Sequence, residues 1–230
     1  MWLNWYMSGL EYTKEFNKLV NDAPMLTFAK GETVTDTDTI DSLYYTSKGF
    51  VKRFFIKNDG NISVQGVYGP TDCFGISFLF DKLAGASLYT GSEVYYYEAL
   101  SSEVQVKKVG YEQFITLLDG SPGLYKDLFT IQTWHSLSNI WLLESKGIDS
   151  AYKQVAHILS FYAERYGRSK GSTQLIDVPF IQQDIADILA LTRETVSHSI
   201  QMLKDKGLLK DGRRLVVTDS RRLKEEAYSL

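Results

Sequence analysis

Between residues 180 and 218 the apolar residues change their spacing twice, and few folds accommodate that pattern. The stretch reads Phe180-IQQDIADILALTRETVSHSIQMLKDKGLLKDGRRLVVT. Ile185, Ala186, Leu189, Leu191, Val196 and Ile200 place one buried stripe on a first helix and another on a second, with a break between them. Thr192 marks the break as an N-cap, so the second helix is expected to start at Arg193. The tight turn before it falls on Ala190, where a positive φ would cost alanine roughly 1 kcal/mol. Gly207 then ends the second helix as a left-handed cap. Leu208-Leu209 and Leu215-Val216-Val217 alternate around Asp211-Gly212 as a two-stranded hairpin.

Two helices around a turn, followed by a hairpin with a basic tip, outline a winged helix-turn-helix. Arg193, Glu194, Ser197, His198 and Gln201 project outward, and in such a unit the start of the second helix meets base edges. Arginine donates two bonds to guanine there, and glutamate accepts from a cytosine amine. The hydroxyls of Thr192 and Thr195 sit where a helix N-terminus would hold a phosphate, and Arg213 and Arg214 at the hairpin tip would lie against the backbone. The competing reading is a solvated helical hairpin with ordinary surface charges. Charge favours the first. Residues 1–150 hold 12 Lys and Arg against 18 Asp and Glu, whereas residues 151–230 hold 13 against 10, so only the C-terminal part is suited to follow phosphates.

Thr192-Arg-Glu-Thr-Val-Ser197, Met202-Leu-Lys-Asp-Lys-Gly-Leu-Leu209 and the hairpin together resemble the bacterial Crp/Fnr family of regulators. The resemblance implies a homodimer that binds double-stranded DNA at a palindromic operator with TGTGA-like half-sites, with RNA polymerase as an expected further partner. By position it makes Arg193 and Glu194 the guanine and cytosine readers. His198 departs from the family, where an arginine stands one turn beyond that pair.

The N-terminal half reads as strands. Short aromatic and β-branched runs (Ser42–Thr46, Phe50–Ile56, Ile62–Tyr68, Glu93–Tyr97, Val104–Val106) are separated by turn signals, the clearest being Asn58-Asp-Gly-Asn61. By resemblance this is the family's cyclic-nucleotide-binding-like β-roll, and Asp72 to Phe80 is similar to the family's phosphate-cassette entry. Two departures argue against cyclic AMP or cyclic GMP as effector. The position of the family's ribose-binding glutamate is Ile76, and Leu88 to Tyr97 contains no arginine or lysine to meet a phosphate. Gly75, Ile76, Tyr89, Tyr95, Tyr97 and Trp134 form a candidate pocket for an apolar or aromatic effector. The alternative reading is that the same side chains fill the barrel themselves. Alternation places Tyr95 and Tyr97 on one side of their strand and Tyr96 on the other.

Ser121-Pro122 opens a long helix running to about Ser145. Leu124, Leu128, Ile131, His135, Ser138 and Leu142 recur at three- and four-residue steps, as a parallel two-stranded coil requires. A stripe of Ile131, Trp134, Ser138 and Trp141 shares that surface, and which face meets a partner helix stays open. Ile148 to Tyr166 reads as the next helix, and Gly167 to Thr173 as a loop. The fold class is thus α+β: a β-roll (double-stranded β-helix) over 1–120, a long dimerisation helix and hinge over 121–147, and a winged helix-turn-helix over 148–230.

The remaining chemistry is sparse. The single cysteine, Cys73, forms no internal disulfide, cannot ligate an iron–sulfur cluster alone, and reads as a buried small hydrophobe. His135, His157 and His198 lie on separate elements without cysteine or carboxylate at ligand spacing, so neither a metal nor a cofactor is expected. A β-barrel metalloenzyme would need inward histidines, and none precedes residue 135, so an enzyme is not expected. No run of eighteen apolar residues and no leader pattern at Met1 suggest a membrane or secretory route, so a cytoplasmic protein is expected. The aromatic start, Met1 to Met7, is expected to pack on the barrel as a short helix.

Overall fold

The structure, a computed structural model, describes residues 10–36, 40–85, 94–170, 173–210, 212 and 214–228. The expected N-terminal helix of residues 1–7 lies outside them. Two compact units emerge, one of residues up to 56 together with 67–136, the other of residues 57–66 with 137 onward.

In the first unit, the Thr13 hydroxyl caps helix α1 (Lys14–Asp22), accepting from the Phe16 amide at 3.3 Å. Thr13 also donates to the Asp127 carboxylate through both its amide, at 3.0 Å, and its hydroxyl. Among the described residues eight strands follow in chain order, β5 running from the second unit's residues into the first's: β1 (Met25–Ala29), β2 (Thr33–Asp36), β3 (Ser42–Lys48), β4 (Val51–Ile56), β5 (Ile62–Tyr68), β6 (Cys73–Phe74), β7 (Tyr95–Ala99) and β8 (Glu103–Gly110). They form two sheets, in the orders β1-β8-β3-β6 and β2-β7-β4-β5, which is the expected β-roll. Strand β8 shows why the sheets close on a core: Val104, Val106 and Val109 are fully buried, while the residues between them keep contact with solvent.

The turn at Asn58 to Asn61 forms as read. Gly60 takes a φ of +81°, and the Lys57 amide donates to the Asn61 carbonyl at 2.9 Å. Strand β1 was not anticipated, because its five residues keep half-exposed side chains and carry little alternation. It forms by pairing in register with β8, Leu26 opposite Val106. The strand expected from Glu93 begins at Tyr95 instead, Glu93 being outside the described residues.

Helix α2 (Ile76–Ala84) starts from Gly75, whose φ is +83° and where a Cβ would fall 2.7 Å from the Ser42 carbonyl oxygen, so only glycine fits. Helices α3 (Tyr111–Leu118) and α4 (Pro122–Gly147) follow. Leu124, Leu128 and Ile131 of α4 complete the core around Phe16, Leu79 and Phe114.

The second unit is built on helix α5 (Ala151–Tyr166), with β9 (Gly167–Lys170), β10 (Thr173–Ile176), α6 (Gln182–Leu189), α7 (Arg193–Asp205), β11 (Leu209–Lys210), β12 (Val216–Val217) and α8 (Ser220–Tyr228). The loop reading of residues 167–173 is corrected: β9 and β10 pair antiparallel and extend the two-stranded wing into a sheet of order β11-β12-β10-β9. Backbone pairing, not apolar alternation, makes these strands. Helix α8 was also unforeseen. Asp219 accepts from the Arg222 amide at 2.9 Å to start it, and Leu223 and Ala227 bury its inner face.

Two histidines give the fold an acid-sensitive component. The His135 Nε2 lies 2.8 Å from the Cys73 carbonyl oxygen, and burial pushes its pKa down to about 4. The ring nitrogens of His157 lie 2.6 Å from the Ser145 hydroxyl and 2.7 Å from that of Tyr228. Burial, aided by the Lys224 charge, lowers this histidine to about 4 as well. Both folded values lie below the ordinary 6.5, so the unfolded chain takes up protons that the folded chain excludes. Stability should therefore be complete above about pH 6.5 and fall as pH drops toward 4, by up to about 1.4 kcal/mol per pH unit for each histidine. Urea midpoints at pH 7 and pH 5 check this, and equal midpoints would contradict it.

Candidate nucleic-acid interface

The Asp184 carboxylate accepts from the Ile181 amide at 2.9 Å and starts α6. Ile185, Ala186, Ile188 and Leu189 of α6 pack inward with Val196, Ile200 and Leu203 of α7. Between the helices Ala190 adopts φ +56°, ψ +40°, and its amide donates to the Ala186 carbonyl, so the left-handed turn forms on alanine as the sequence implied. Ala190 is exposed, and glycine there would relieve strain without losing contacts. Ala190→Gly should therefore raise unfolding free energy by about 0.5–1 kcal/mol, net of the added flexibility of the unfolded chain. A urea midpoint that falls instead would contradict this.

Thr192 caps α7, its hydroxyl accepting from the Thr195 amide at 3.1 Å, and helix α7 starts at Arg193. The hydroxyls of Thr192 and Thr195 are 2.9 Å apart; one donates to the other, and the pair keeps one hydrogen for an outward acceptor. Arg193, Glu194 and His198 are exposed, and among the described residues no hydrogen bond or ion pair engages them. Ser197 is half-buried, and the Gln201 amide donates to Asp205 at 2.8 Å. The helix therefore offers a polar end fixed by its cap, with a guanidinium and a carboxylate adjacent at the positive pole.

At the wing, Arg213 lies outside the described residues. Arg214 does not stand free as expected: it donates to the Asp177 carbonyl at 2.8 Å and to its carboxylate at 2.9 Å, while Arg168 pairs with the same carboxylate. Asp177 thus ties β12 to the segment after β10, a latch that sequence reasoning missed because 37 residues separate the partners.

In the first unit, Ile76 and Tyr97 of the candidate pocket are buried, Trp134 is 7% exposed, Tyr95 is half-buried, and Tyr89 lies outside the described residues. Phe74 stacks on Tyr97 at 4.8 Å and on Tyr44 at 5.1 Å, and Tyr68 leans on both Phe74 and Tyr97. Tyr96 faces away and stacks on Phe54, as strand alternation requires. Cys73 is buried, and burial pushes its thiol up, away from a reactive thiolate.

The stripe read as a dimer seam is corrected in part. Leu124, Leu128 and Ile131 are buried in the chain's own core, and His135 bonds within it, so this face of α4 is already occupied. Ser138 and Leu142 are partly buried. The exposed apolar residues of α4 are Tyr125, Phe129 and Leu143, each offset by one position from that stripe, and Ile140, two beyond Ser138, with Phe129 73% and Leu143 69% exposed.

A capped polar helix end beside a small winged sheet defines a winged helix-turn-helix DNA reader. Residues 153–226 match the Crp-like helix-turn-helix domain family. The chain is 27% identical over 186 residues to the nitrogen fixation regulation protein FixK of Bradyrhizobium diazoefficiens, a match spanning 79% of this chain and 72% of that protein. It is 24% identical over 208 residues to a CRP-like cAMP-activated global transcriptional regulator of Mycobacterium tuberculosis, spanning 87% and 86%. Its fold is similar to that of FixK2 from Bradyrhizobium japonicum, with a TM-score of 0.72 at 19% identity over 90% of this chain and 98% of that one. The chain thus carries a Crp-like helix-turn-helix domain and is similar over most of its length to transcription regulators of the Crp/Fnr kind. These relatives are regulators, not enzymes. Among the described residues, no helix is long and apolar enough to cross a membrane.

Proposed function

We propose that the chain acts in the cytoplasm as a homodimer on a palindromic operator with TGTGA-like half-sites, without control by cyclic AMP. The observation that carries this reading is the exposed Arg193–Glu194 pair at the capped start of α7. Arg193 and Glu194 read bases, His198 contributes one turn on, and Thr192, Thr195, Ser197 and Arg213 hold phosphates. Arg214 joins them only by leaving Asp177. Residues 148–230 serve as the DNA head, 121–147 as the pairing helix and 1–120 as a sensor, with RNA polymerase as a further partner.

Pairing is supported by the Tyr125, Phe129, Ile140 and Leu143 stripe. Exposed Gln132 and Ser136 continue it at three- and four-residue steps, which is the spacing of a two-stranded coil. Independence from cyclic AMP is supported by buried Ile76 where the family carries a carboxylate.

Calorimetry with cyclic AMP and a gel shift on a TGTGA palindrome test the proposal. A shift without nucleotide and no heat on nucleotide addition are expected; strict nucleotide dependence would refute it. A second reading, control by an unidentified small apolar or aromatic ligand in the β-roll, is favoured by the aromatic cluster of Tyr68, Phe74 and Tyr97.

A further inference from the structure

The pairing register of the second unit's sheet sets one residue from each of four strands in a row. Lys210 of β11 lies opposite Val216 of β12, Val216 opposite Leu175 of β10, and Leu175 opposite Arg168 of β9. Lys210 is the last residue of β11 and Val216 the first of β12, so this row borders the wing tip. Arg168 therefore stands at the outer edge of the sheet, level with the tip. Its side chain is 73% exposed, and its Nε donates to the carboxylate of Asp177, the residue just beyond β10. The same carboxylate accepts from Arg214 at 2.9 Å, and Arg214 donates to the Asp177 carbonyl as well.

Two guanidiniums thus share one carboxylate. Both stay protonated at neutral pH, which leaves one positive charge in excess. Arg214 satisfies Asp177 with two bonds, so the excess resides on the more exposed Arg168. A guanidinium has five N–H donors; Asp177 takes the one on Nε, and among the described residues no hydrogen bond engages either Nη of Arg168. Holding Nε fixes the plane of the guanidinium in advance, which lowers the ordering cost of binding an anion. Stability alone does not account for this second arginine, since so exposed an ion pair contributes little. Nor is the cation isolated. Lys204, Lys210 and Arg214 line a cleft of about 150 Å³ between α6, α7 and the wing, and none of its lining residues is acidic. A cationic margin running from this cleft to the sheet edge suits a polyanion that passes along it, as the sugar-phosphate backbone of a duplex does.

From this register and pairing we infer that Arg168 is a DNA-backbone contact, with Asp177 and Arg214 as positioning residues that hold its guanidinium at the sheet edge. The phosphate contact expected of Arg214 passes to Arg168, a residue of β9 outside the helix-turn-helix pattern. The inference rests on the reading of the chain as a duplex binder and extends the bound surface past the wing.

Fluorescence anisotropy of the full chain with a TGTGA palindrome and with a scrambled duplex of equal length, over a salt series, tests the inference on wild type, Arg168→Gln, Arg168→Lys and Arg221→Gln. Arg168→Gln should weaken binding to both duplexes alike, by about tenfold, and make the dependence on salt shallower by about 0.9 for each protomer bound. Arg168→Lys keeps the charge and should restore the slope. Arg221→Gln removes an exposed arginine of α8 and should leave the slope as it is. Arg168→Gln should also keep the wild-type urea midpoint, because the side chain is exposed, so lost affinity is not lost fold. The inference is overturned if Arg168→Gln leaves affinity and slope unchanged, or if its loss is confined to the palindrome, which would make Arg168 a base contact. An equal slope change from Arg221→Gln would also overturn it by reducing the effect to overall charge. Wild-type protein that binds neither duplex would overturn the DNA reading together with the inference, whereas wild-type binding with an indifferent Arg168→Gln overturns the inference alone.

Discussion

Arg193→Ala is expected to weaken operator binding by about 1–3 kcal/mol per half-site, roughly ten- to a hundredfold, and to flatten the preference at one base pair. Arg193 is the first residue of α7, exposed and outside the Thr192–Thr195 cap, so its removal leaves the helix start intact. Stability should change little for the same reason. A phosphate contact would behave differently: affinity would drop equally on every sequence, and the dependence on salt would shallow by about 0.9 for each phosphate lost. Binding to operator variants, measured at two salt concentrations, separates the two. Unchanged affinity on all of them would remove Arg193 from the interface.

Phe129→Asp is expected to split the proposed dimer, raising its dissociation constant by at least about a hundredfold, because a central aromatic anchor would be lost from both protomers and a charge placed in an apolar seam. Phe129 is 73% exposed within one chain, so the substitution should leave the fold of each protomer unharmed. Ile131→Ala provides the contrast. Ile131 is fully buried among the chain's own core residues, and its truncation should cost about 2–5 kcal/mol of folding stability while leaving pairing unaltered. Sedimentation equilibrium and urea unfolding on both variants check this. A dimer that survives Phe129→Asp but dissociates on Ile131→Ala would place the seam on the other face.

The seam shows where the sequence runs out. Helix α4 is apolar on two faces, and Leu124, Leu128 and Ile131 have the same period as Tyr125, Phe129 and Leu143. Periodicity reports that a stripe is buried, not what buries it. The DNA head was more legible because its signals are local: a threonine cap, a left-handed turn at Ala190 and a glycine stop at Gly207 depend on residues a few positions apart. Strands β9 and β10 escaped notice because Gly167 to Thr173 carries turn-forming residues and little apolar alternation, so only pairing across the hairpin identifies them. Arg53 was read correctly as part of a strand. Its neighbours Tyr68, Tyr97 and His135 are brought to it from three other elements, which no local pattern in the sequence indicates.

Selection of bound sites from random duplex DNA by the unliganded full chain tests the central claim most directly. The account predicts enrichment of a twofold-symmetric site with two half-sites about one helical turn apart, and loss of one base preference in each half when Arg193→Ala is used. Binding without any enriched sequence, or an enriched site lacking twofold symmetry, would contradict it.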